Sequence, residues 1–130
     1  MSAIENASML LVMATKDVRA MRALAAPESV DDEIFGFHAH QAVEKTLKAW
    51  ITVVGGTYGR THDLSQLFAL LADLSCDVRR FEDLDMLNPF AVELRYEALD
   101  TGEPKLDRPF CITRVQELYD HVRQIVERMA

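Results

Sequence analysis

The stretch Phe37-His38-Ala39-His40-Gln41-Ala42-Val43-Glu44-Lys45-Thr46-Leu47-Lys48-Ala49 spaces its apolar residues three and four apart and sets polar ones between them. At about 100° per residue that spacing makes a helix with one apolar face; a half-buried strand would alternate instead. Carried outward, the apolar sector holds Phe35, Ala39, Ala42, Val43, Leu47, Trp50, Val53 and Val54, while Gln41, Glu44, Lys45 and Lys48 share the opposite side. The segment opens where Ser29 and Asp32 stand at capping-box spacing, with Asp31, Asp32 and Glu33 suited to a helix N-terminus. It closes at Gly55-Gly56. Gly36 inside it costs about 1 kcal/mol against Ala, so it marks close packing or the true start of the regular helix.

Upstream, Ile4, Ala7, Leu11, Ala14, Val18, Met21 and Ala25 recur at helical spacing until Ala26-Pro27 ends the run. Downstream, the loop Gly55 to Arg60 leads to a third helix from about Thr61 to Leu74 and a fourth from about Asp77 to Leu87. Asn88-Pro89 then reads as cap and first position of a short helix ending near Tyr96. Glu97 to Arg108, with Gly102 and Pro104, is the longest loop. Pro109 begins the last helix, with the stripe Ile112, Val115, Leu118, Tyr119, Val122, Ile125, Val126 and Met129. No stretch alternates long enough for a strand ladder. The expected architecture is all-α, an up-and-down four-helix bundle with an additional short helix, its neighbours mostly antiparallel because the connections are short.

The chain has 130 residues, 49% of them apolar, with 21 Asp plus Glu against 14 Lys plus Arg and a net charge of −7. One domain spanning residues 1–130 is expected, of radius of gyration about 14 Å. The charge disfavours a protein that coats nucleic acid or an anionic membrane, because phosphate binding is driven by clustered cations, so any nucleotide or RNA contact is expected to be a local patch. Cys76 and Cys111 lack C-x-x-C spacing, so no zinc knuckle or disulfide framework is legible, and both thiols are expected to be buried and inert. Glu5 stands where a secretory leader would carry Lys or Arg, and the apolar run Met9 to Ala14 is too short for a membrane span. A cytoplasmic protein is expected.

Several residues carry possible chemistry. His40 and Glu44, four apart, permit a shared metal, but the paired Glu-x-x-His motifs of a di-iron bundle are absent. They read as a solvated or dimer-facing helix edge, with no metal and no cofactor expected. Gly55-Gly56-Thr57-Tyr58-Gly59-Arg60-Thr61 has the composition of a phosphate-binding loop but not its spacing, and it follows a helix instead of a strand. Arg60 and His62 remain beside a helix N-terminus, where an anion can bind unless Thr61 or Asp63 caps the free N–H groups. Arg95 can hold a phosphate or pair with Glu93 or Glu97. Arg114 and His121, seven apart on the last helix, share a face and have the chemistry for phosphodiester cleavage; the alternative is a solvated face shared with Glu117, Gln124 and Arg128.

The stretch from Phe37 to Ala49 is similar to the "FHAQQAAEKALKA" core helix of the HEPN family (higher eukaryotes and prokaryotes nucleotide-binding domain). Thr61-His62-Asp63-Leu64 resembles the family's "tHdL" helix start, and Ala91-Val92-Glu93-Leu94-Arg95-Tyr96 its "RYP" element, in the family's order. The resemblance implies a helical bundle, commonly a homodimer, often encoded beside a minimal nucleotidyltransferase in bacterial toxin–antitoxin or stress modules. It also implies a proposed nucleotide-binding role and, in toxin branches, metal-independent ribonuclease activity through an Arg-x(4–6)-His motif. Here His40 replaces the first glutamine and Glu97 the proline. Only Arg114 and His121 have the motif's spacing, and Val115 stands where Asn or Asp usually follows the arginine.

The leading expectation is therefore a nucleotide-binding or partner-binding component without catalytic residues. The rivals are a ribonuclease toxin using Arg114 and His121, and a purely structural module that docks a nucleotidyltransferase. Any ligand, nucleotide or RNA, is expected to be anionic and to bind near Lys45, Lys48, Arg60, His62 and Arg95, the basic groups on or beside the resembling motifs. A homodimer is expected because Ile34 and Phe37 interrupt a polar sector. No RNA cleavage is expected, since Glu117, Asp120 and Glu127 surround Arg114 and His121.

Overall fold

The computed structural model describes residues 1–91 and 106–130. They form four α-helices, α1 (Ala3–Ala23), α2 (Asp32–Val53), α3 (Leu64–Asp73) and α4 (Arg108–Met129), and a 3-10 helix, Glu82–Phe90. Among the described residues there is no strand, as the all-α expectation required.

The apolar stripes of the sequence are the core. Ala7, Leu11, Ala14, Val18 and Met21 of α1 are buried, as are Ile112, Val115, Leu118, Val122 and Val126 of α4. Ser2 caps α1 by accepting the Glu5 N–H at 3.1 Å, and Asp107 caps α4 by accepting that of Phe110 at 3.0 Å. Between these helices runs α2, in which no residue from Phe35 to Val53 is exposed. It is the central element, and the edge carrying His40 and Glu44, expected to be solvated or dimer-facing, is buried within the chain.

Side-chain contacts give the helix directions. Thr15 meets Tyr119 and Arg22 meets Gln116, so α1 runs antiparallel to α4. Arg108 lies over Phe35 and His121 against Trp50, so α2 and α4 run the same way. The segment after Gly55 returns along α2: His62 reaches His40 and Glu44, while Leu74 lies close to Gly56. Thus α3 starts beside the middle of α2 and runs parallel to it. Antiparallel neighbours require the connection to be only a turn, and an extended segment covers about 3.3 Å per residue, enough to travel back along the helix.

Three local expectations are corrected. The stretch 77–87 is not a fourth α-helix; its buried residues Val78, Phe81, Leu84 and Leu87 are each three apart, and three per turn is the 3-10 repeat. Asn88 does not open a new helix, for it lies inside the 3-10 helix and accepts the Leu64 N–H at 2.9 Å, capping α3. Ser29 and Asp32 form no capping box. Asp31 takes the cap position, because Ser29 and Asp32 both serve Arg108. The short helix expected to end at Tyr96 falls from Val92 onward outside the described residues, as does the expected loop over 97–105.

Two glycines have structural reasons. A Cβ on Gly36 would stand 2.4 Å from the Phe90 ring, so the close-packing explanation is the correct one. Gly55, at φ +87, ends α2 in a Schellman turn in which Gly56 N–H donates to Ile51 O at 2.9 Å.

Candidate functional site

The polar side of α2 is folded inward. Glu44 is 5% exposed. Its Oε1 accepts from His62 Nδ1 at 2.7 Å and its Oε2 from Lys48 Nζ at 3.1 Å. His40, fully buried, donates from Nε2 to the His62 carbonyl at 2.8 Å, and Gln41 approaches its other ring nitrogen at 3.4 Å. The ammonium of Lys48 also lies 5.2 Å from the centre of the Tyr58 ring. These contacts pin the returning segment to α2. They also engage His40 Nε2 with a carbonyl, where a metal ligand would need a lone pair. Among the described residues no group of three or more His, Cys, Asp or Glu is placed to hold a metal.

One turn along, Lys45 takes a different carboxylate. Its Nζ lies 2.6 Å from Asp17 Oδ2, and His38 Nδ1 donates to Asp17 Oδ1 at 3.1 Å. Of the expected anion-binding residues, Lys48 and His62 thus meet at Glu44, Lys45 is held by Asp17, and Arg95 lies outside the described residues. Arg60 is exposed and forms no ion pair among the described residues. With Gly59, Thr61, Gln66, Ala69, Leu70 and Asp73 it lines a groove of about 410 Å³. The first N–H groups of α3 are already engaged within the chain: Asp63 takes that of Ser65 at 2.9 Å and Asn88 that of Leu64.

Arg114 and His121 come to one aromatic ring. The guanidinium of Arg114 lies 5.9 Å from the centre of the Phe81 ring, and the imidazole of His121 packs 5.3 Å from it, with Trp50 on its other flank at 5.1 Å. Burial against these rings, helped by the charges of Arg80 and Arg128, lowers the His121 pKa. Arg114 is engaged by Asp83 at 2.6 Å, Glu117 at 3.2 Å and the Arg80 carbonyl. Asp83 and the Arg80 carbonyl come from the segment misread as an α-helix.

The thiols divide. Cys111 is buried, its pKa pushed up to about 11 by burial and the charges of Asp107 and Asp32, whereas Cys76 is only half-buried. Ile34 is exposed at 40%, and Phe37 is half-buried with its ring edge-on to His38. No described helix is long and apolar enough to cross a membrane.

Sequence reasoning missed Asp17 and Arg108. Asp17 borders the apolar stripe of α1, and a carboxylate at that angle is the available signal of a buried partner. Arg108, 2% exposed, gives no periodic signal because it stands in the first turn of α4. Comparison with curated proteins and with solved structures gave no match. The family model of the HEPN domain, however, matches residues 7–129, nearly the whole sequence, and the order of core helix, returning loop and α3 described above lies inside that match; the chain belongs to the HEPN domain family.

Proposed function

We infer that this HEPN protein is a nucleotide-binding or partner-binding component of a bacterial nucleotidyltransferase or toxin–antitoxin type module, acting as a single-domain homodimer in the cytoplasm. The observation that carries this reading is the different state of the candidate cations. Lys45 and Lys48 are held by Asp17 and Glu44, and Arg114 by Asp83 and Glu117, whereas Arg60 forms no ion pair among the described residues and stands on the wall of a groove. An anionic ligand would meet Arg60 first, at no cost of breaking a buried ion pair. Calorimetric titration with ATP and ADP tests it. Binding that Arg60→Ala weakens about tenfold, the loss of one charge-assisted contact, supports the reading. Absence of nucleotide binding leaves the partner-docking form, tested by co-purification with a nucleotidyltransferase encoded beside it; failure of both sinks the proposal.

A second reading, ribonuclease, is favoured by the meeting of Arg114 and His121 at Phe81. Cleavage of total RNA by the purified protein, lost in both Arg114→Ala and His121→Ala, would establish it over the first.

A further inference from the structure

The outer face of α1 carries a stripe that the fold leaves bare. Met9, Val12 and Met13 are exposed at 54%, 60% and 44%, on the side opposite the buried Ala7, Leu11, Ala14 and Val18. Glu5, Met9, Val12, Lys16 and Arg19 repeat at alternating steps of four and three, the seam spacing of a helix that packs on another helix. Glu5, Lys16 and Arg19 form no ion pair among the described residues, whereas the inward-facing Asp17 holds both His38 and Lys45. Among the described residues, then, no ion pair uses the charges of the stripe, and Glu5 takes only a hydrogen bond from the Ser2 hydroxyl at 3.2 Å.

We propose that this stripe is the surface on which a second copy of the chain docks, with the two α1 helices antiparallel about a two-fold axis between residues 10 and 11. The proposal rests on the homodimer of the preceding section and names its interface, which differs from the Ile34 and Phe37 region. The occupant follows from the charges. Glu5 and Lys16 lie at equal distances on either side of the apolar centre, so the stripe complements itself when reversed. Glu5 then faces Lys16 of the partner subunit, Lys16 faces the partner's Glu5, and Met9 faces Val12 of the partner subunit. A parallel pair would set like charges opposite one another, which costs stability.

Sedimentation equilibrium across micromolar concentrations, at low and high salt, tests the proposal with Glu5→Lys, Lys16→Glu, the double exchange and Val12→Asp. All three positions are exposed, and circular dichroism checks that each variant folds. The parent is expected to be a dimer. Each single charge reversal should raise its dissociation constant about tenfold, since it replaces two attractive pairs by two repulsive ones; the double exchange should restore it, and Val12→Asp should abolish the dimer. A monomeric parent overturns the homodimer itself. A dimer indifferent to Glu5→Lys and Val12→Asp leaves the homodimer standing and overturns this interface, and failure of the double exchange to restore association overturns the antiparallel register.

Discussion

His62 donates from Nδ1 to Glu44 Oε1 at 2.7 Å, across a separation of 18 residues. This bond joins the returning segment to the central helix, and Glu44 holds Lys48 with its other oxygen. A carboxylate that is 5% exposed needs hydrogen-bond donors in place of the water it has lost, so the three side chains form one unit.

Glu44→Ala should accordingly destabilise the fold by about 2 kcal/mol, because it leaves the part-buried Lys48 ammonium and His62 imidazole without their shared acceptor. Lys48→Ala should cost about half as much, since His62 still satisfies the carboxylate. Urea denaturation measures both. Equal losses, or no loss in Glu44→Ala, would mean that the network does not secure the returning segment.

The pH dependence of stability should carry a contribution from His121. Its pKa is lowered on folding from the ordinary 6.5, first by burial beside Trp50 and Phe81 and then by Arg80 and Arg128. As pH falls below 6.5 the unfolded chain binds the proton before the folded one. Stability is therefore present above that pH and is lost as pH falls through the lowered folded value. His121→Phe keeps an aromatic ring at the site and removes the titration, so urea midpoints between pH 8 and about 5 should fall less steeply for the variant. Parallel curves for the two proteins would refute the assignment.

The legibility of this fold varies with the range of the interactions that decide it. Periodicity alone placed α1, α2 and α4, because their buried residues are set by rotation about one axis. The segment from Val78 to Leu87 was misread although its step of three was visible, and Asn88 because its acceptor is used by Leu64, 24 residues away. The same holds for the candidate site. Lys48, His62 and Arg60 were recognisable as basic residues, and Lys48 stands four residues from Glu44 on one helix, but that Glu44 also takes His62 depends on the return of residues 55–63 along α2. No local spacing encodes that return.

Gly36 should resist replacement even by alanine. Helix propensity favours Ala by about 1 kcal/mol, yet its Cβ would stand 2.4 Å from Phe90 Cδ1 and Cγ. Overpacking of this kind costs about 1 to 3 kcal/mol, so the net change should be destabilising. Gly36→Ala combined with Phe90→Ala should recover part of the propensity gain relative to Phe90→Ala alone. A thermal midpoint for Gly36→Ala above that of the parent would show that the ring moves aside freely.

Arg108 provides the last test, because its role needs a fork of donors and not merely a positive charge. One terminal nitrogen donates to the carbonyls of Leu24 and Ala26, at 2.9 Å each, and to Ser29 Oγ at 3.3 Å. The other donates to the carbonyl of Val30 at 2.6 Å and to Asp32 Oδ1 at 3.0 Å. Those acceptors span the connection from α1 to α2, and the second oxygen of Asp32 holds the Leu106 N–H at 2.9 Å. One side chain thus ties the start of α4 to the whole α1–α2 connection, with its guanidinium 5.1 Å from the centre of the Phe35 ring. Lysine keeps the charge but offers one compact ammonium, which cannot reach acceptors on both sides of the fork. Arg108→Lys should leave at least two part-buried carbonyls without a donor and cost about 2 kcal/mol. The loss should be local as well as global, with faster hydrogen exchange and protease cleavage concentrated between residues 24 and 31. A variant of parental stability and unchanged cleavage in that segment would show that the charge alone suffices.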